Sequence, residues 1–266
     1  MRENIAALTI AGSDPGCGAG IQADLKTFSA LGVYGTTVIT AVTCQNLRGV
    51  TDIQPVEPGI VEKQLHAVLD GYPVKAVKTG MLFSKEIIAA VVRVLEGFPG
   101  LQPVVDPVLT STSGKDLLQQ EAVEFLKERL FPLSALITPN IAEAEILGDL
   151  HIKIKNKADL ERAAKKLYEK FKVPVLLKGG HLPDSACDVL CDKKGTTVMP
   201  ARINGNVNNH GSGCTLSAAV TAFLARGFGL KEAVSEAKAY ITGSLKYAHR
   251  LDKSARIINH FWMPDS

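Results

Sequence analysis

Short β-branched runs alternate along this chain with longer segments of helical period, and that alternation restricts the fold more than any other feature. Ile5–Ala11 predicts a first strand and Ala19–Leu31 a helix, with Ile21, Leu25, Phe28 and Leu31 near the three-to-four spacing of one face. The pattern continues with strand Thr36–Thr43, helix Pro58–Leu69 (proline in its first turn), strand Val74–Val77, helix Ser84–Leu95 capped by Ser84, and strand Pro103–Val105. Glu121–Leu130 predicts a helix, Ala135–Thr138 a strand, and Ile141–Leu147 a helix stopped by Gly148. Asn156–Phe171 and Pro174–Leu177 form the next pair. Cys187–Pro200 predicts a hairpin turning at Lys193-Lys194-Gly195, and helices Thr215–Arg226 and Lys231–Arg250, the latter containing Gly243, follow it. Near-continuously apolar strands between helices imply an α/β architecture with a mostly parallel sheet covered on both faces. No fixed-period repeat, low-complexity tract or Pro/Gly/Ser linker interrupts residues 1–266, so one domain is expected. Such a sheet binds ligands beyond the carboxyl ends of its strands.

At 266 residues the chain needs no metal or disulfide staple to close a core. Its 46% hydrophobic and 21% charged residues argue against disorder. Thirty Lys+Arg against 27 Asp+Glu leave +3, too small and scattered for a nucleic-acid or polybasic membrane surface. Five cysteines, at 17, 44, 187, 191 and 214, form no compact framework and suit reduced thiols in a cytoplasmic protein. No apolar run approaches the ~20 residues that span a bilayer. The first residues, with Glu3 early, read as a strand and not as a signal peptide.

Gly12-Ser13-Asp14-Pro15-Gly16-Cys17-Gly18-Ala19-Gly20 opens the first helix. Ile21 breaks the dinucleotide fingerprint, no acid between Asp24 and Asp52 is placed for a ribose, and no Gly-Lys follows for a Walker loop. A flexible turn and a close backbone approach to a small ligand both fit; Asp14 and Asp24 favour the ligand. Asn209-His210-Gly211-Ser212-Gly213-Cys214-Thr215 stands before the periodic Leu216, Ala219, Val220, Phe223 and Leu224. Two glycines let backbone N–H groups converge and the helix dipole adds positive potential, which suits an oxyanion or a γ-phosphate in transfer. Cys214, in the first turn, is expected to have a lowered thiol pKa and to take a proton from a substrate hydroxyl. A Gly-capped helix with a buried cysteine is the plain structural alternative.

Asp106 ends a strand before Pro107. Asn140 and Glu143 can be a helix cap and its capping-box partner, or oxygen ligands for Mg²⁺ carrying nucleotide phosphates. Lys178-Gly179-Gly180-His181 offers an ammonium to phosphate, or forms a turn. Gln45-Asn46 supplies amides that can pair with a heteroaromatic edge or face solvent. Cys187 and Cys191 share strand parity but lack two further ligands nearby, so no metal is expected there.

Taken together, Ala11-Gly12-Ser13-Asp14, Gly18 to Thr27, Lys78-Thr79-Gly80-Met81-Leu82, Asp106-Pro107-Val108, Thr138-Pro139-Asn140-x-x-Glu143 and His210 to Thr215 resemble the hydroxymethylpyrimidine/phosphomethylpyrimidine kinases. These are ribokinase-like enzymes of thiamine biosynthesis, and the resemblance runs from Ala7 to about Tyr247. It implies a three-layer α/β/α fold and ATP- and Mg²⁺-dependent phosphorylation of 4-amino-5-hydroxymethyl-2-methylpyrimidine, then of its monophosphate. Cys214 would stand as base and Gly211, Ser212 and Gly213 as anion hole. Gly12, Asp24, Gln45 and Met81 would meet the pyrimidine, and Asn140, Glu143, Asp106, Lys178 and Lys238 the nucleotide, with Asp106 and Glu143 as metal ligands. Leu109–Leu117 matches a mobile flap, and a homodimer is implied. Pro15 and Cys17 depart from the expected Ser and Gly, and Ser212 stands where Thr is common. The nearest rival is a pyridoxine/pyridoxal-type kinase, modestly disfavoured by Gln45-Asn46. A non-catalytic nucleotide sensor would need no base at the anion hole.

Overall fold

The computed structural model describes residues 5–110, 114, 116–150, 153–180, 182, 187–200, 210–251 and 256–262. The alternation is present throughout: β1 (Ala6–Ser13), α1 (Gly20–Ala30), β2 (Tyr34–Asn46), β3 (Gly49–Pro55), α2 (Pro58–Gly71), β4 (Val74–Thr79), α3 (Lys85–Glu96), β5 (Val104–Val105), α4 (Gln120–Phe125), β6 (Leu136–Ile137), α5 (Ile141–Gly148), α6 (Lys157–Phe171), β7 (Val175–Lys178), β8 (Cys187–Asp192), β9 (Gly195–Pro200), α7 (Ser212–Ala225) and α8 (Leu230–Lys246). Nine strands form one sheet in the order β3-β2-β1-β4-β5-β6-β7-β8-β9. The run from β2 to β7 is parallel, while β3, β8 and β9 join antiparallel.

Side chains alternate across a strand, and here adjacent residues enter two cores. Leu8, Val77, Val105, Ile137 and Leu177 pack under α2 to α6. Their neighbours Ala7, Ala76, Val104, Leu136 and Leu176 pack under α1, α7 and α8. The result is the expected α/β/α layering. Helix starts are set locally: Ser84 Oγ accepts from Ile87 N, Asn156 Oδ1 from Asp159 N, and Glu57 from Ile60 N ahead of Pro58. Gly243 is tolerated inside α8 because a Cβ there would lie 2.1 Å from the Trp262 indole.

Four expectations are corrected. Strand β2 runs past Thr43 to Asn46 and turns through Leu47-Arg48 into β3, an edge strand whose exposed, polar-rich face carries no apolar run. Strands β5 and β6 are only two residues long. Asp106 N and Thr138 N still bond Thr79 O and Val105 O, but Pro107 and Pro139 then lack the N–H that would extend the ladder. The helix expected over Glu121–Leu130 keeps α geometry only to Phe125, passes through a π-type turn over Leu126–Leu130 and ends in a 3-10 turn at Phe131–Leu133. Finally, α8 stops at Lys246, and β10 (His249–Arg250) pairs with β11 (Arg256–Ile257) as a small ribbon.

Candidate active site

The carboxyl ends of β1, β2, β4, β5, β6 and β7 and the start of α7 open into one cavity of about 600 Å³. Gly12, Gln45, Met81, Asp106, Asn140, Glu143, Lys178, Lys238 and Gly211 to Cys214 all line it, far apart in sequence but brought together by the parallel strand ends. Thr110 and Leu117 line its mouth, and Thr110 pairs with Asp116 across the expected flap; residues 111–113 and 115 of that flap lie outside the described residues. His181 and Asn209 lie outside them as well. Asn46 does not line the cavity; its side chain accepts from Arg48 N in the hairpin turn.

Asp24 is a correction. Its carboxylate is fully buried beneath the cavity, 2.7 Å from Lys78 Nζ through both oxygens and 2.6 Å from Thr9 Oγ1, so it offers nothing to a pyrimidine. A buried carboxylate is stable only with such partners. Its partner Lys78 lines the cavity as well, although the sequence gives it no role beyond its place in the Lys78-Thr79-Gly80-Met81-Leu82 motif. The available signal is its place as the second lysine of β4, one residue before the carboxyl end of the strand. Asp14 lines the cavity, and its oxygens accept from Gly16 N, Gly18 N and Ala19 N and so hold the glycine loop in shape. Burial raises its carboxyl, but His210 and the N–H groups of Ala19 and Gly16 outweigh that and leave it below the usual range.

The start of α7 joins the two ends of the cavity. Gly211 sits at φ +80 and a Cβ on it would lie 1.7 Å from Gly18 O, so only glycine lets the helix begin against the glycine loop. The N–H groups of the first helical turn lack intrahelical acceptors and carry the positive end of the dipole. A Cβ on Gly213 would lie 3.1 Å from Lys178 Nζ and 3.7 Å from Asp106 Oδ2, which places the helix start directly against that ion pair.

Asp106 Oδ1 accepts from Lys178 Nζ at 2.8 Å and Thr138 Oγ1 at 3.1 Å, and Ser217 Oγ lies 3.3 Å from Oδ2. Burial raises the Asp106 carboxyl, but Lys178 and Lys78 outweigh it and hold it low; the same pairing raises Lys178 despite burial. Asn140 and Glu143 form a full capping box and also line the cavity, so the two readings of that pair coexist. Burial pushes the Glu143 carboxyl up to about 7, with Asp106 adding to the rise and Lys178 opposing it. Two neighbouring carboxylates that oppose each other's ionisation suit a divalent cation, and Mg²⁺ takes few protein oxygens besides phosphate and water. Among the described residues no group of three or more His, Cys, Asp or Glu forms a metal site from protein alone. Lys238 Nζ lies 2.6 Å from Asp188 Oδ2, and Asp188 Oδ1 accepts from Gly179 N, which ties α8 to the turn after β7.

Cys214 is the second correction. Burial pushes its thiol up to about 11, with Asp106 and Asp24 adding to the rise against the pull of Lys78 and of Gly20 N–H. Desolvation and two carboxylates override the helix terminus that predicts a lowered value. The five cysteines are all free thiols.

The phosphomethylpyrimidine kinase family matches residues 14–259. A hydroxymethylpyrimidine/phosphomethylpyrimidine kinase of Rhizobium meliloti is 48% identical over 264 residues, covering 97% of this chain and 98% of that one. The crystal structure of a phosphomethylpyrimidine kinase from Clostridium difficile shares 46% identity and a TM-score of 0.78 over 90% of this chain and 98% of that one. An ADP complex of Bacillus subtilis pyridoxal kinase shares 37% identity and a TM-score of 0.87 over 97% and 98%. With a family match that takes in every strand of the sheet but β1 and most of the cavity lining, the chain belongs to the phosphomethylpyrimidine kinase family.

Proposed function

We propose that this chain transfers a phosphoryl group from ATP to the hydroxymethyl oxygen of 4-amino-5-hydroxymethyl-2-methylpyrimidine, and then a second to the resulting monophosphate. The observation that carries this reading is the single cavity with an amide, Gln45, at one end, the Asp106–Lys178 and Asn140–Glu143 groups at the other, and the α7 start spanning them. Near-full-length relatives with that name support the substrate class.

In the first step the hydroxymethyl proton passes to Cys214 Sγ while the oxygen bonds to the γ-phosphorus. The bond from phosphorus to the bridging oxygen breaks, and ADP leaves with its electrons. Backbone N–H groups at Gly211 to Gly213 and the Lys178 ammonium neutralise charge on the transferring group. The raised thiol makes thiolate the minor form near neutrality, so this step depends on the small ionised fraction. In the second step the attacking oxygen is already ionised and needs no base, so positioning carries it. Asp106 and Glu143 would hold Mg²⁺, which supplies further charge neutralisation to the phosphates when bound.

A vitamin B6 alcohol is the second reading, favoured by the pyridoxal kinase likeness. Measuring ADP release with the hydroxymethylpyrimidine, with pyridoxine and with no acceptor separates them. Turnover on the pyrimidine above the other two is expected; release on pyridoxine alone, or none with either acceptor, would overturn the proposal. We also propose a cytoplasmic, single-domain protein that forms a homodimer. Exposed Val42 and Leu47 beside edge strand β3 support the dimer, which sedimentation would test.

A further inference from the structure

Gln45 and His210 meet at the acceptor end of the cavity, and their hydrogen bonds admit only one consistent assignment. Thr43 Oγ1 lies 2.8 Å from Ser13 O and 3.3 Å from the Gln45 amide. A backbone carbonyl only accepts, so the one hydroxyl proton of Thr43 goes to Ser13. The amide atom facing Thr43 must then donate. That makes it the NH₂ group and turns the carbonyl toward His210, the two amide orientations differing by a half-turn. His210 Nε2 lies 3.1 Å from the Gln45 amide and 3.4 Å from Asp14 Oδ2. Between a carbonyl and a carboxylate oxygen, Nε2 must carry a proton.

We infer that His210 is a positioning residue: its Nε2–H holds the Gln45 amide with the carbonyl toward His210 and NH₂ toward Thr43, and so decides which ring edge the site accepts. One lone pair and one N–H of the amide then remain as an acceptor–donor edge on the cavity wall. A 4-aminopyrimidine presents the matching pair, an exocyclic amine beside a ring nitrogen. In a 3-hydroxypyridine the hydroxyl and ring nitrogen are not adjacent and cannot satisfy both groups. The order along the edge also matters, because an amide turned over would pair with a ring turned over and carry its hydroxymethyl group away from Cys214. The Asp14 carboxylate, itself fixed by Gly16, Gly18 and Ala19, anchors the imidazole from the other side. Gly18 lies beneath the ring, where a Cβ would come within 2.9 Å of His210 Cδ2.

This role rests on the proposed pyrimidine activity, so its test has one arm that needs no turnover. The ¹⁵N shift of His210 Nε2 in the free protein should fall in the range of a protonated nitrogen, and an unprotonated Nε2 would overturn the assignment. The second arm compares kcat/KM for the aminopyrimidine alcohol with that for pyridoxine. His210→Leu should lower the ratio by about 10–100-fold, and His210→Gln, which keeps a donor, should recover most of it. In a Gln45→Leu background His210→Leu should change the ratio no further. Equal loss on both substrates, or additive effects in the double variant, would show that His210 does not act through Gln45. A wild-type protein inert toward the aminopyrimidine would defeat the proposed function, and the nitrogen spectrum would still decide the state of His210.

Discussion

Cys214 lines the cavity, but its thiol shifts in the direction opposite to the one its place in the first turn of a helix predicts. A thiol in the first turn of a helix ordinarily ionises more easily, and the family resemblance puts this one at the reacting centre. Here burial wins, and the thiol rises to about 11. At pH 7 only about one molecule in 10⁴ then carries the thiolate. A first phosphorylation that needs this base should therefore accelerate with pH from 7 to 9.5, while the second, whose nucleophile is already charged, should stay nearly flat. Cys214→Ala should slow the first step by about 10²–10⁴ and the second far less. Assays started separately from the alcohol and from its monophosphate read both. Parallel pH profiles, or equal loss in the variant, would remove Cys214 from the base role. Gly211 has a different part in the same turn. Gly211→Ala meets Gly18 O and a positive φ together, so both steps should be lost along with roughly 1–3 kcal/mol of stability, measured by denaturant unfolding.

At the scale of elements, α7 is held from behind by the end of the described chain. Thr215, in its first turn, lies 3.1 Å through Oγ1 from His260 Nε2, and Tyr240 of α8 donates to His260 O. Burial, with Lys26 adding to it, depresses His260 to about 4, so the folded protein keeps this imidazole neutral. The unfolded chain takes up a proton near 6.5. Its contribution to stability is thus complete above about 6.5 and is lost as pH falls toward 4, by at most about 3 kcal/mol. Thermal melts from pH 7.5 to 4.5 should show a shallower decline in His260→Gln than in the parent protein. Identical slopes would mean that His260 gains its proton without opening the contact with α7.

For the whole molecule, the parallel order of β2, β1, β4, β5, β6 and β7 is what makes a single site possible, because it delivers six strand ends to one edge of the sheet. A ligand in that cavity touches elements from both helical layers. ADP with Mg²⁺ at a hundred times its Kd should stabilise the fold by about 2.7 kcal/mol. Added hydrogen-exchange protection should appear at the α7 start and the Asn140–Glu143 turn and be absent from the edge strands β3 and β9, which contribute nothing to the cavity wall. Protection spread evenly over the sheet would argue against binding at this edge.

The amino-acid sequence alone determined the order of strands and helices, because periods of two and 3.6 and the Ser, Asn and Pro at helix starts are local properties. It also placed Gly12, Gln45, Asp106, Asn140, Lys178 and Cys214 at one edge of the sheet, since each stands near the carboxyl end of a strand or at a helix start. The exposed strand β3 escaped detection for want of an apolar run, and the short β5 and β6 depended on pairing across the sheet. Only the tertiary structure decided which polar groups meet. Asp24 finds Lys78 across 54 residues, Asp106 finds Lys178 across 72, and Gln45 finds His210 across 165. Burial also depends on everything packed around a group, which is why Asp24 left the substrate surface and the Cys214 thiol moved up instead of down. Local propensity acts over a few residues, whereas desolvation and ion pairing act through space once the chain has closed on itself.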